Sequence, residues 1–238
     1  MNKDEIFMPF PGPQHNAIFL RRPQRFLAEM VFSDGTQTVA YCANSGTMNG
    51  CLKSGSPALL WDSLDPKRKR QYTWRAIELD GVWVGTDTHF SNYLVEKALL
   101  QKLVPSLDCY TTLQREIIVE QGHRVDFLLT STQGVCYVEV KSVIVVENKI
   151  ARFPDSITLR GLKHLEGLTK IAEKGHRVVL LYLIQRSDAE SFTINDTHYP
   201  AYAAAYKKAT VAGVESIALS VSVSIHGFGV PKILPITF

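Results

Sequence analysis

The chain has little with which to build disulfide or zinc chemistry. Its 238 residues include four cysteines, Cys42, Cys51, Cys109 and Cys136, and none falls in a C-x-x-C pair or at a zinc-type spacing. Isolated cysteines of this kind read as reduced, partly buried thiols of a cytosolic protein. A chain of this length closes a hydrophobic core without cross-links or structural metal. No apolar run approaches the ~20 residues that span a bilayer. The first residues are mixed in polarity, with Asp4, Glu5 and three prolines by Pro13, which does not match a secretion signal. The expected location is therefore cytoplasmic, without a membrane partner. Low-complexity linkers and internal repeats are missing as well. The formal net charge of +3 permits a nucleic-acid partner without demanding one. The glycine-bearing stretch 44–50 lacks the G-K-[S/T] ending and following helix of a phosphate loop, so it reads as a tight connection near a domain interface.

Apolar and charged fractions of 45% and 21% are those of an ordinary globular protein. Segments 17–22, 25–32, 36–42, 57–61, 71–79 and 82–86 are strand-like, with turn signals at Asp34-Gly35 and Asp80-Gly81. Many short strands in under a hundred residues, without a convincing helix, predict a small closed β-barrel over 1–86. The pattern then changes. A helix is expected from Ser91, as N-cap, to about Val104. Strands follow at 113–120, 124–130, 134–146 and 149–153. A helix over 158–174 stops at Gly175, and a continuous apolar strand over 176–184 needs cover on both faces. An Ala-rich helix over 199–212 and a strand over 214–224 precede a tail that trails off. This order predicts an α/β domain over 87–238, layered around one central sheet.

Chemistry concentrates in RVDFLL and YVEVKSV. In a strand, positions i and i+2 share a face, so Glu139 and Lys141 project together while Val138 and Val140 point into packing. A hairpin across 131–134 brings Asp126 toward Glu139. Two carboxylates about 4 Å apart repel by roughly 4 kcal/mol at an effective dielectric near 20. Lys141 offsets part of that repulsion and a divalent cation would offset more. Mg²⁺ or Mn²⁺ held by Asp126 and Glu139 would polarise a phosphodiester, with Lys141 orienting the attacking water. A solvated Asp–Lys–Glu network on an open sheet face is the plainer alternative. The apolar flanks of the strand argue against it.

Basic residues form three groups. The run Lys67, Arg68, Lys69, Arg70 is flanked by Trp61, Tyr72 and Trp74, and Arg21, Arg22 and Arg25 lie in the same barrel segment. Cations interleaved with rings suit a nucleic-acid backbone and its bases, although a solvated loop and core rings fit the same pattern. Arg160, Lys163 and His164 share the helix that follows the acidic strands and are positioned to meet phosphates. His123 and His164 are the histidines nearest the acidic pair.

The segments CANSGTMNGC, DPKRKRQYTW, NYLVEKAL, RVDFLL, YVEVKSV, FPDSITLRGLKHLEGL and VLLYLIQRSD, in this order, resemble the sugar fermentation stimulation protein A (SfsA) family across nearly the whole chain. The resemblance implies an OB-fold-like barrel followed by a PD-(D/E)xK restriction-endonuclease-like α/β domain. It implies a catalytic set of Glu96, Asp126, Glu139 and Lys141, with Glu96, otherwise a plain solvated helix residue, acting through water on the metal. It also implies a DNA-binding protein connected with sugar-metabolism regulation. Ala43, Ser45, Asp65 and Ser91 depart from the family's usual residues, and none is a site position. Two functions remain in view. One is a metal-dependent nuclease acting on DNA or RNA. The other is a non-catalytic DNA-binding regulator that keeps the nuclease-like fold. A homodimer stays open under either.

Overall fold

A computed structural model describes residues 6–119 and 124–237; His123 lies outside them. After β1 (Ile6–Pro9), strands β2 (Gln14–Gln24), β3 (Leu27–Val31), β4 (Gln37–Tyr41), β5 (Pro57–Asp62), β6 (Tyr72–Leu79) and β7 (Val82–Gly85) form one sheet in the order β4-β3-β2-β5-β6-β7. A parallel pairing of Tyr41 with Thr73 joins β4 to β6 and closes a five-stranded barrel. The long β2 serves both halves. Register shifts at Phe19/Arg21 and Arg21/Gln24 bend it, and Pro23 sits in that irregular stretch, where a missing N–H is tolerated. The turns expected at Asp34-Gly35 and Asp80-Gly81 are present, with Gly35, Asp80 and Gly81 all at positive φ. Inside the barrel, Trp74 stacks on Phe19 with ring centroids 4.9 Å apart, among Met30, Met48, Leu60 and Ile77. Burying each such side chain stabilises the fold by about 1.5–3 kcal/mol.

The second domain starts with helix α1 (His89–Leu100). Ser91 is not its cap. It lies inside the helix, buried, and accepts from Gln185 Nε2 at 3.1 Å. Then come β8 (Thr112–Ile118), β9 (Arg124–Ser131), β10 (Gly134–Val143), β11 (Val145–Glu147), β12 (Ile150–Phe153), α2 (Leu159–Glu173), β13 (Arg177–Ile184), β14 (Ser191–Ile194), α3 (Pro200–Val211), β15 (Val214–Ser220), β16 (Val223–Ser224), β17 (Gly227–Gly229) and β18 (Lys232–Leu234). The central sheet runs β18-β15-β13-β10-β9-β8, with β10, β13 and β15 parallel. α1 packs Leu94, Val95 and Ala98 with Val138 and Val140 on one face. α2 and α3 cover the other, where Leu165, Leu168, Tyr202 and Tyr206 meet Leu180 and Tyr182. β13 is buried almost throughout because both faces are covered.

The tail does not trail off. β18 joins the central sheet, while β16 and β17 form a small sheet with β1. β1 therefore pairs with the C-terminal part of the chain, at Ile6↔Gly229 and Pro9↔Gly227, although it belongs to the segment expected in the barrel. The barrel also meets the sheet domain directly. Gly85 N–H donates to Gln185 O at 2.9 Å, and a Cβ at Gly85 would lie 2.6 Å from Gln185 Oε1. Among the described residues, no helix is long and apolar enough to cross a membrane.

Candidate functional site

The ladder between β9 and β10 ends at Phe127↔Val138. One residue beyond, the Asp126 carboxylate takes the place of a backbone partner: Oδ2 accepts from the buried Val140 N–H at 2.7 Å. Oδ1 accepts from Asn92 Nδ2 of α1 at 2.8 Å. Both oxygens are thereby fixed from two elements. On β10, Glu139 and Lys141 do share a face, as strand parity predicts. They are not a solvated network, because Glu139 is only 4% exposed. Its Oε1 accepts from Lys141 Nζ at 2.5 Å and lies 2.6 Å from His164 Nδ1 of α2. Arg160 Nε approaches the far nitrogen of His164 at 3.5 Å, so α2 does lie against the site.

These surroundings push the two carboxyls in opposite directions. Burial, and then the negative charge of Glu139, raise Asp126 above the ordinary range. Burial also opposes ionisation of Glu139, but Lys141 and His164 outweigh it and hold this carboxyl below its usual value. Groups separated in this way are common at catalytic centres, though structural ion pairs produce the same signature.

The carboxylates line a cleft of about 1030 Å³ that opens between barrel and sheet domain. One wall is formed by two barrel connections, the β2–β3 turn with Arg25 and the β4–β5 loop with Asn44, Ser45 and Gly46, and the other is Arg152–Gly161 with His164. The walls are tied together. Asp155 Oδ2 accepts from Met48 N–H at 3.1 Å, and Thr47 Oγ1 donates to Asp155 O at 3.1 Å. Arg124 and Arg152, which sequence reasoning did not single out, also border the cleft. Each has a carboxylate partner, Glu116 and Glu147 respectively, at 3.3 Å. Arg25 and Arg160 have none among the described residues.

The remaining expected residues are distributed unevenly. Glu96 does not reach the cleft. It pairs with Arg115 of β8 at 3.2 Å, and Asn92, one turn earlier on α1, is the helix residue that touches the acidic pair. Arg21 pairs with Glu29 at 2.6 Å on the barrel surface. Arg22 clamps the cleft loop through the carbonyls of Asn44, Gly46 and Arg25. Lys163 is exposed and borders no part of the cleft. The Lys67–Arg70 run also lies off the cleft. Lys67 and Lys69 are exposed, and Arg70 is half-buried. Arg68 stacks on Trp61 with its guanidinium 5.2 Å from the ring centroid. Arg75 covers Trp61 at 4.6 Å, so Trp61 is a half-buried ring between two cations, whereas Trp74 is core.

Among the described residues, no three His, Cys, Asp or Glu side chains gather as an all-protein metal cage. Two carboxylates whose mutual repulsion is only partly balanced do fit a hard divalent cation, which keeps waters and takes substrate oxygens as its other ligands.

Comparison with known proteins agrees with this architecture. The Sugar fermentation stimulation protein RE domain matches residues 89–227 and the SfsA N-terminal OB domain matches residues 20–86. A sugar fermentation stimulation protein homolog of Rhodospirillum centenum is 42% identical over 229 residues, covering 95% of this chain and 98% of the relative. The homolog of Geotalea uraniireducens is 39% identical over 223 residues, covering 94% and 96%. A solved structure of Pyrococcus furiosus SfsA in complex with Ca²⁺ superposes with a TM-score of 0.89 at 26% identity, over 98% of this chain and 99% of that one.

Proposed function

The chain belongs to the sugar fermentation stimulation protein family, and from that membership and the cleft geometry we propose that it is a divalent-metal-dependent phosphodiesterase acting on nucleic acid, DNA above all. The observation that carries the reading is the meeting of two carboxylates of opposed protonation tendency and one lysine where the β9–β10 ladder opens. The cleft around them offers arginines without carboxylate partners.

Asp126 and Glu139 would hold the cation, Mg²⁺ or Mn²⁺, and the Pyrococcus furiosus relative, described as a Ca²⁺ complex, supports a hard divalent ion there. When bound, such an ion supplies Lewis-acid polarisation of a phosphoryl oxygen and a source of hydroxide at neutral pH. The protein's own groups do the rest. Val140 N–H and Asn92 hold Asp126 in one orientation, and His164 does the same for Glu139. Lys141 Nζ, whose side chain is 13% exposed, orients the attacking water and balances charge that develops on the phosphate. Arg25 and Arg160 take phosphates on either side. In this reading the barrel, within residues 1–86, helps hold the strand and residues 87–238 cut it.

The competing reading is a nucleic-acid-binding regulator that cuts nothing. It is favoured by one observation: Glu139 Oε1 is already engaged by Lys141 and His164, and the helix carboxylate Glu96 stands apart. Incubation with labelled DNA and RNA, with Mg²⁺, Mn²⁺ or EDTA, separates the two. Metal-dependent cleavage that Asp126→Ala and Lys141→Ala abolish is the expected result. No cleavage, or cleavage that those variants leave intact, rejects the enzyme reading.

A further inference from the structure

We infer that the cleft accepts an unpaired nucleic-acid strand, a few nucleotides long, rather than a duplex. The inference rests on the nucleic-acid reading above and adds strandedness to it. Two independent observations point the same way.

The first is size. At about 1030 Å³ the cleft is at the upper end of sites that enclose a drug-sized molecule, roughly 300–1,000 Å³. That space takes a short run of single strand. A duplex, wider than its own major groove of about 12 Å, exceeds this space in cross-section and would lie across its mouth rather than inside it.

The second is the chemistry of the rim. Ile118 at the end of β8, and Ile157 and Leu159 at the start of α2, border the cleft with 74%, 70% and 67% of their surface exposed. Exposed aliphatic side chains beside Arg25, Arg124, Arg152 and Arg160 gain little from the backbone surface of a duplex, which presents phosphates and sugars. Single-strand sites cover the apolar faces of unstacked bases with rings beside a basic track, and here aliphatic side chains stand in that place. The basic track is present as Arg25 on the barrel wall and Arg160 on α2. A strand whose phosphates run between those two arginines passes Asp126 and Glu139 and lays its bases against the three aliphatics.

Binding is measured by fluorescence anisotropy in EDTA, so that turnover does not enter. The probes are a labelled twelve-nucleotide DNA, the same sequence as RNA, and the blunt DNA duplex. The expected result is at least about tenfold tighter binding of single strand than of duplex. Arg25→Ala and Arg160→Ala each weaken single-strand binding and shallow its salt dependence by about 0.7 in log–log slope, the release expected per single-strand phosphate. The double variant Ile157→Ser with Leu159→Ser weakens binding several-fold at unchanged salt slope, since apolar contacts release no counterions. Duplex binding equal to or tighter than single-strand binding overturns the inference, as does an unaffected Ile157→Ser/Leu159→Ser protein. Cleavage of the same probes with Mg²⁺ keeps the two readings apart. Single-strand binding without any cleavage supports this inference and sinks the nuclease reading. Cleavage of blunt duplex alone overturns this inference and leaves the nuclease reading standing.

Discussion

Asp126 and Val140 are bonded where their strands have stopped pairing, carboxylate to backbone N–H at 2.7 Å. The acid is thus both a ladder partner and a charge, and substitution separates the roles. Burial and Glu139 raise its pKa above 3.8, so the folded protein holds this proton more tightly than the unfolded chain. Stability therefore falls as pH rises through the folded value and stays reduced above it. In chelator, Asp126→Asn keeps an acceptor for Val140, melts higher than the parent at neutral pH, and loses that advantage as pH falls toward 3.8. Asp126→Ala leaves a buried N–H without a partner and costs about 1–3 kcal/mol. Identical melting of the two variants at neutral pH would show that the ladder contact contributes nothing.

Glu139 has the opposite linkage. Lys141 and His164 outweigh the burial penalty and hold its pKa below 4.5. Its contribution to stability is present above that value and is lost as pH falls through the folded pKa. Glu139→Gln leaves Lys141 in a largely buried position without its countercharge, and the expected loss is about 3–5 kcal/mol in urea unfolding. Lys141→Met costs less, since His164 still faces the carboxylate. Millimolar Mg²⁺ should raise the melting temperature of the parent by mass action, and EDTA should reverse the rise. In Glu139→Gln the metal should have no effect; an undiminished shift there means that the cation binds elsewhere.

A second buried pair holds the barrel to α1. Arg75 bonds Asp87, both nearly inaccessible, and its guanidinium lies 4.6 Å from the Trp61 ring centroid and 4.7 Å from that of Phe90. Burial, followed by Arg68, lowers its pKa to about 10. Asp87 also accepts from His89 N–H at 3.0 Å, at the start of α1. Asp87→Asn keeps an acceptor for His89 N–H and removes both the countercharge and the acceptor that face Arg75. The expected loss is about 3–5 kcal/mol by chemical denaturation. A loss near that of a surface pair, under about 1 kcal/mol, would show that the contact is solvated in solution.

What the sequence disclosed was local. Gly175 stops α2 as its glycine suggests, at φ +85°, whereas the Thr158 side chain, which caps the helix by accepting from Gly161 N–H, was not singled out. The Glu139–Lys141 face followed from strand parity. Long-range partners were not legible. Arg22 reads as a free cation until the carbonyls of Asn44 and Gly46, more than twenty residues away, close around it. Asn92 and Glu96 share a helix face, and only the position of Arg115 on β8 decides that Glu96 turns away while Asn92 reaches Asp126. The short strands β1, β14, β17 and β18 carry too few residues to show a period, and their pairing depends on where the rest of the chain places them.

The joint at the cleft rim offers the most direct test of how barrel and sheet domain are coupled. Gly46 has no unusual φ, so its backbone suits alanine, yet a Cβ there would lie 2.4 Å from Asp155 Oδ2 and 3.1 Å from Asn44 Oδ1. Gly46→Ala must push Asp155 off Met48 N–H, and such overpacking costs about 1–3 kcal/mol. Asp155→Ala alone loses the Met48 contact, about 1 kcal/mol. The double variant has no carboxylate left to displace, so its loss should fall short of the sum by about 0.5–3 kcal/mol, the range seen for contacting residues. Urea unfolding of the four proteins measures this coupling. Strict additivity would mean that the barrel loop accommodates the methyl without moving Asp155, and that the two walls of the cleft are not joined at this point.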